Sequence, residues 1–576
     1  MNRARIACLL LFAAAVIAAD RYEVTVERGV AMKTRDGVTL RADIYRPKAD
    51  GKFPVLLERT PYNKAGGDFG TRAAAMGYVV IMQDVRGRFT SEGEWYPFKY
   101  EGQDGYDTVE WAAALPYSNG KVGMFGGSYV GATQMLAAIA TPPHLAGVFA
   151  VVTASNYHDG WTYQGGAFVQ WFNESWTTGL VQDTLDRRVR ESANALKWAW
   201  KLPLTEYPFL DLPNPASLAP YFAEWTRHPD FDDYWKSLSI EDHYANIRVP
   251  VYSVGGWYDI FQGGTVRNYV GLKSRVPGQR LMLGPWYHGP FNGQAGELNF
   301  GETAKGDTDA DMLRWYDHLL RGVDNGIARE KPVRIFVMGK NAWRDEDDWP
   351  LTRARSTRYY LHSAGGANTR TGDGTLSTAQ PENERADKFT YDPANPTPTR
   401  GGGLCCDNDH LPSGAFDQRT VEERQDVLVY TTPLFTSDFE VTGPIAIELY
   451  VSSSAVDTDF TAKLVDVWPN GFAQNLTDGI LRARYRNSHA TPELLNPGGV
   501  YKIRIDMWNT SNVFLAGHKL RVDISSSNFP RFDRNLNTGE NAGRSSNMLK
   551  AENTVYHDAQ RASALILPAV AVPKVP

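Results

Sequence analysis

Apolar and polar positions follow two different rules along this chain. "YEVTVERGVAMKTRDGVTLRADIYRP" alternates around Asp36-Gly37, a hairpin pattern. After it the alternation stops. "FPVLLERTPYN" is a short apolar strand ending in a loop, and "TRAAAMGYVVIMQDVRG" reads as helix, glycine stop and buried strand. "DTVEWAAAL" has helical spacing, "KVGMFGGSYVGATQMLAAIA" is strand, tight turn and helix, and "AGVFAVVTAS", "VPVYSVGGWYD" and "QRLMLGPWYH" are further apolar strands. Strands apolar on both faces, alternating with helices, predict a doubly wound parallel sheet covered on both sides.

The alternation is interrupted once, over residues 156–246, by a stretch crowded with aromatics and carrying helical patches such as "LVQDTLDRRVRESANALKWAWK". An insertion there lies over the carboxyl ends of the strands, where such sheets bind ligands, and is expected to be a helical cap. Beyond residue 326 the rule changes to period two, in "RIFVMG", "TRYYLHS", "GPIAIELYVSSS", "DFTAKLVDV", "VYKIRIDMW" and "HKLRVDISSS". In "IAIELYV", Ile445, Ile447, Leu449 and Val451 share one face. Many short strands without helices predict a C-terminal all-β jelly-roll domain over residues 327–576, with the catalytic α/β domain formed by 20–155 and 247–326.

The first residues have another order: Arg3 and Arg5, an apolar run from Ile6 to Ala19, then small residues before Asp20. This is the form of a signal peptide over residues 1–19, which predicts a secreted or periplasmic protein. The run is too short to span a bilayer comfortably, so no stable membrane span is expected after its removal. The net charge of −6, with no Lys/Arg run, disfavours nucleic acid as a partner. Beyond the leader only Cys405 and Cys406 remain, and they are adjacent. Consecutive Cα atoms lie about 3.8 Å apart, below the usual disulfide range; two thiols and one strained vicinal disulfide both stay open. Four-cysteine zinc is excluded, no H-E-x-x-H occurs, and no metal or cofactor is implied. Homo-oligomers are left open.

The candidate chemistry centres on Ser128 in "MFGGSYVG". A nucleophilic serine needs a strained strand-to-helix turn that lifts its hydroxyl above the sheet, with small residues beside it. Gly126, Gly127 and Gly131 supply these, although Val130 occupies the place of the second glycine in G-x-S-x-G. The serine also needs a base, and the base an orienting carboxylate. Asp259 and His288 fall at the carboxyl ends of the next two strands, in the order Ser, Asp, His. The oxyanion donors should be the backbone N–H of Tyr129 and a group from the "ERTPYNK" loop, where Tyr62 offers a phenol that stays protonated at neutral pH. Glu92, Glu94 and the arginines of "DVRGR" read as a loop salt-bridge network.

At these residues the chain resembles the cocaine esterase-like, or X-Pro dipeptidyl-peptidase, group of serine hydrolases. The marks are G-x-S-Y-x-G from Gly126 to Gly131, G-W-Y-D from Gly256, G-P-W-x-H from Gly284, "RTPY" before Tyr62 and "DVRGRFTSEG" from Asp84. The resemblance spans the mature chain. It implies an α/β-hydrolase fold with a helical cap and a C-terminal jelly roll, a triad of Ser128, Asp259 and His288, and oxyanion donors Tyr62 and Tyr129. It further implies a small-molecule ester or short-peptide substrate. α-Amino acid ester hydrolases in the group hold a substrate ammonium with a carboxylate cluster, including an acidic pair after the triad aspartate. Here Ile260, Phe261, Gln262 and Gly263 follow Asp259, so that pair is missing, though Asp159-Gly160-Trp161 keeps the D-G-W acid. Trp161 and Phe261 match aromatic positions of an acyl pocket, an uncharged wall that favours an apolar acyl group; that both simply pack cap against core is the other reading, and for Phe261 the two weigh equally. The expectation is a serine esterase. An α-amino acid ester hydrolase or X-Pro peptidase is the alternative, and a glycan-binding protein on a hydrolase scaffold is the non-enzymatic one.

Overall fold

The computed structural model describes residues 22–185, 199–204, 218–541 and 543–570. The leader-like segment lies outside them, as does part of the "LVQDTLDRRVRESANALKWAWK" patch. The α/β layer is a ten-stranded sheet. Its strands are β1 (Val24–Lys33), β2 (Thr39–Pro47), β3 (Phe53–Thr60), β4 (Val79–Asp84), β5 (Ser118–Gly127), β6 (Leu145–Val151), β7 (Val251–Gly256), β8 (Arg280–Gly284), β9 (Val333–Val337) and β10 (Ala342–Glu346). They lie in the order β1-β2-β4-β3-β5-β6-β7-β8-β9-β10. Pairing is parallel from β4 to β9 and antiparallel at both edges. Every residue of β4 and β7 is buried, as strands covered on both faces require.

Helices α1 (Asp68–Ala75), α2 (Glu101–Ala114) and α3 (Tyr129–Ile139) connect β3, β4, β5 and β6. The chain leaves β3 toward β4 on one side and returns to β5 on the other. This reversal of strand order opens a crevice at the carboxyl ends, and the β5–α3 turn sits in it. Between β6 and β7 the chain forms α4 (Gln170–Leu185), α5 (Pro220–Arg227) and the short α6 (Asp233–Lys236), over an aromatic cluster that joins cap to sheet. Helices α7 (Gln262–Leu272) and α8 (Thr308–Arg321) complete the layer.

One strand lies elsewhere than in the sequence reading, which counted "RIFVMG" among the strands of the β domain. "RIFVMG" belongs to β9, which extends the α/β sheet beside β8, and β10 closes that edge as a hairpin. A two-strand edge of a mixed sheet alternates like a sandwich strand, so pattern alone assigns it to the wrong layer. The all-β domain follows, with Arg355–His362 as its first strand and a long antiparallel pair, Phe439–Ser453 with Tyr501–Phe514, at its centre. Ile445, Ile447, Leu449 and Val451 do share a buried face. One apolar cluster runs from Trp257, Leu283 and Phe336 into Leu464, Ile505 and Val513, so the two domains share a core. Among the described residues, no helix is long and apolar enough to cross a membrane.

A buried polar network fixes α2 and α3 to β3. The fully buried Arg59 donates to Glu101 Oε2 at 2.8 Å and to Gln83 at 2.9 Å, while the Tyr129 hydroxyl donates to Glu101 Oε1 at 2.9 Å. Burial raises the Glu101 carboxyl's pKa against the pull of Arg59. Removing the carboxylate leaves Arg59 charged in a dry interior, so Glu101→Ala should cost about 3–5 kcal/mol in urea unfolding. Glu101→Gln, which keeps an acceptor, should cost less. An alanine variant as stable as wild type would refute this reading of the network.

Candidate active site

Ser128 is the residue between β5 and α3, with φ 60° and ψ −126°, a backbone that a residue with a side chain seldom takes. The glycines around it are there for space. A Cβ on Gly126 would stand 2.3 Å from Val130 Cγ1, and one on Gly131 would stand 2.7 Å from Thr153 Cβ. This accounts for the departure from G-x-S-x-G. Val130 occupies the room that Gly126 leaves, and Gly131, one residue on, gives the close approach of helix to the β6 end.

The two partners reach the same crevice. Asp259 is buried just after β7, and its Oδ1 accepts from His288 Nδ1 at 2.8 Å. With Nδ1–H so engaged, Nε2 carries the lone pair. Ser128 and His288 line one cleft of about 430 Å3, together with Glu58, Phe125, Phe291 and Met312. Tyr62 arrives on the loop after β3. The residue is 42% exposed, but its hydroxyl is buried beside Ser128 and the Tyr129 backbone N–H. Burial at the hydroxyl raises its pKa although both of these pull it down, which keeps the phenol a donor. The structure therefore brings together Ser128, Asp259, His288, Tyr62 and the Tyr129 amide. The side chain of Tyr129 is engaged below, at Glu101.

The substrate-binding candidates are placed differently from one another. Phe261 stands edge-on to the His288 ring at 5.3 Å, and Trp161 stacks on Phe261 at 4.5 Å with the planes 10° apart. Both are fully buried, Phe261 against the base and Trp161 behind it. Asp159, expected to hold a substrate ammonium, is instead paired with Arg267 at 3.0 Å and accepts from the Gly165 N–H at 3.1 Å. Burial alone would raise its pKa, but the Arg267 guanidinium outweighs it and brings it down to about 2. Part of its charge is thus already met inside the protein.

Several residues of the site were not legible in the sequence. Trp176, in the cap helix α4, donates from Nε1 to the Tyr62 hydroxyl at 2.9 Å and so fixes its orientation. Arg88 donates to the Pro61 carbonyl and to the Leu180 carbonyl, both at 2.9 Å, and so clamps the Tyr62 loop to the cap. It also pairs with Asp183 at 2.9 Å. The neighbouring Arg86 forms salt bridges to Asp104 at 2.6 Å and Asp36 at 2.8 Å, not to the Glu92 or Glu94 that the sequence reading grouped with it. The β domain contributes as well. Leu404 bridges to Asp259, and a Cβ on Gly403 would stand 3.1 Å from the Asp259 carbonyl. Cys405 and Cys406, left open above, are joined by a disulfide.

Residues 36–290 match the family described as X-Pro dipeptidyl-peptidase (S15 family), and residues 325–566 match the X-Pro dipeptidyl-peptidase C-terminal non-catalytic domain. The chain is 40% identical over 574 residues to cocaine esterase from Rhodococcus sp., covering 95% of this chain and 99% of that one. In structure it is similar to an aminopeptidase from a marine sediment archaeon, Thaumarchaeota archaeon (TM-score 0.82, 26% identity, covering 96% of this chain and 97% of that one). It is also similar to an α-amino acid ester hydrolase (TM-score 0.81, 25% identity, covering 97% and 99%).

Glu58 in the cleft wall has a pKa pushed up to about 7, by burial first and by the nearby Asp309 carboxylate second. A carboxyl whose folded value is raised binds its proton more tightly when folded, so its contribution is favourable below pH ~4.5 and is lost as pH rises to about 7. Glu58→Gln should therefore gain stability over wild type at pH 8 by a few degrees in Tm, and little or nothing at pH 4. Melting curves at the two pH values decide it; an equal difference at both would refute the shift.

Proposed function

This chain belongs to the X-Pro dipeptidyl-peptidase (S15) family that includes cocaine esterase, and from that premise we propose how its residues hydrolyse a carboxylic ester and which esters they take. The observation that carries the reading is the strained Ser128 turn facing both the Tyr62 hydroxyl and the cleft of the His288–Asp259 pair. Ser128 Oγ attacks the ester carbonyl while His288 Nε2 takes its proton, and Asp259 holds the ring and balances the imidazolium. The carbonyl oxygen becomes an oxyanion between the Tyr62 O–H and the Tyr129 N–H, two donors already in place. As the tetrahedral adduct collapses, His288 returns the proton to the leaving alcohol. Water then attacks the acyl carbonyl and gives a proton to His288, which passes it to Ser128 Oγ as the acyl–Oγ bond breaks and the acid leaves.

The proposed acyl group is apolar or aromatic. The uncharged wall of Phe261 backed by Trp161, directly against the base, supports this reading, as does the likeness to cocaine esterase. The α-amino acyl alternative has less support, because the Asp159 carboxylate already meets Arg267. Secretion is proposed from the leader-like residues 1–19.

Ser128→Ala should lose both fluorophosphonate labelling and turnover of a p-nitrophenyl ester, and Tyr62→Phe should lower kcat about 10²–10³-fold. A benzoate ester should be preferred to phenylglycine methyl ester, and blocking the amino group of the latter should not slow it. Labelling that persists in Ser128→Ala would refute the nucleophile; a strict need for a free amino group would restore the alternative. For secretion, the mass of protein recovered from periplasm or medium should fit a chain beginning near Asp20, and an intact leader would refute it.

A further inference from the structure

We propose that Cys405 and Cys406, once their disulfide is reduced, form with His288 a binding site for a thiophilic divalent cation such as Zn2+, and that filling it switches the hydrolase off. Three observations carry this. The β-domain loop that crosses the acid loop at Leu404 delivers both sulfurs to the active site. One donor atom from each of His288, Cys405 and Cys406 lies within 4.8 Å of the others. And His288 already has the neighbour that metal-binding histidines favour, a carboxylate accepting from the far ring nitrogen, here Asp259 at 2.8 Å.

The donor set suits the ion. Zn2+ takes thiolate and imidazole ligands tetrahedrally, and Zn–S bonds of ~2.3 Å place two sulfurs roughly 3.8 Å apart. Bonded sulfurs cannot open to that separation, so the disulfide itself keeps the site closed. Cys405 is buried and Cys406 is exposed, so a reductant has access to one sulfur. A dithiol reductant supplies the two electrons and two protons. Its thiolate attacks Cys406 Sγ, the S–S bond breaks, and the reductant leaves as its own disulfide while two cysteine thiols form. Zinc then displaces one proton from each thiol, forms two Zn–S bonds and takes the lone pair of His288. With Nδ1 committed to Asp259, that lone pair is on Nε2, which on the proposed function must receive the Ser128 proton. Metal and catalysis compete for one nitrogen.

The test reduces the full chain with dithiothreitol, removes the reductant, and titrates with Co2+ and then Zn2+. Reduced wild type should bind one Co2+ per chain with a thiolate-to-cobalt charge-transfer band that Zn2+ abolishes. Ester turnover should fall with the same zinc midpoint and return on adding EDTA. Unreduced protein should show no band and keep its turnover. Cys406→Ser, and separately reduced wild type alkylated with iodoacetamide, should lose the band and the zinc sensitivity while still hydrolysing ester. His288→Ala should bind cobalt about tenfold or more weakly, a readout that needs no activity. The proposal is overturned if reduced wild type gives no thiolate band, if His288→Ala binds cobalt as wild type does, or if zinc inhibits the alkylated and unreduced proteins equally. Cobalt bound through thiolate with turnover intact would overturn the switch and leave the proposed mechanism standing, whereas lost turnover in Ser128→Ala alone bears only on the nucleophile.

Discussion

Ser128 can stand above the sheet only because the backbone between β5 and α3 is bent into a conformation costing on the order of 1–3 kcal/mol. Such a bend persists where its surroundings over-determine it, and the residue after the serine is where this happens. The Tyr129 hydroxyl donates to Glu101 and accepts from the Phe98 N–H at 2.8 Å, in a network that includes the buried Arg59. The helix start therefore cannot relax without breaking a dry hydrogen-bonded cluster. The same anchoring aims the Tyr129 N–H at the place where an oxyanion would form. Strain at one residue and rigidity at the next are two aspects of one arrangement.

The acid is held by different means. Three polar side chains flanking Asp259 are bonded away from it. Trp257 donates to the Phe336 carbonyl at 2.7 Å, Tyr258 to the Asn475 carbonyl at 3.1 Å, and Gln262 to the Asn509 carbonyl at 2.8 Å. Two of these three acceptors belong to the β domain. With Leu404 bridging Asp259 itself, the carboxylate is positioned as much by the C-terminal half of the chain as by its own strand. A catalytic layer and a β domain that share a core cannot be treated as an enzyme with an appendage.

This division explains what the sequence disclosed. The parallel strands, the glycine-flanked serine and the acid and base at their strand ends are local patterns: each needs only its own dozen residues and the rule that strands end on one edge. Trp176 and Arg88 escaped because their effect depends on which cap segment lies over the loop of Tyr62, a distance of 114 residues in the first case. The same holds for the disulfide beside His288, since nothing in "LCCDN" reveals that its loop crosses Asp259. Residues 333–346 were misassigned for the opposite reason. Their local pattern was clear, but it is common to a sheet edge and a sandwich.

Asp159 shows how far residue type falls short of chemistry. D-G-W is present, and the residue is an ionised carboxylate, as holding an ammonium would require. Yet Arg267, on α7, faces it at 3.0 Å and faces Glu241 at 3.3 Å. A substrate amine would have to compete with a guanidinium that is tethered and pays no association entropy. The ammonium has the advantage only where several carboxylates outnumber the internal cation, and the residues after Asp259 that could have added them are Ile260, Phe261, Gln262 and Gly263. With those positions apolar or neutral, and Phe261 against the catalytic ring, selection of the proposed acyl group falls to shape and desolvation rather than to charge.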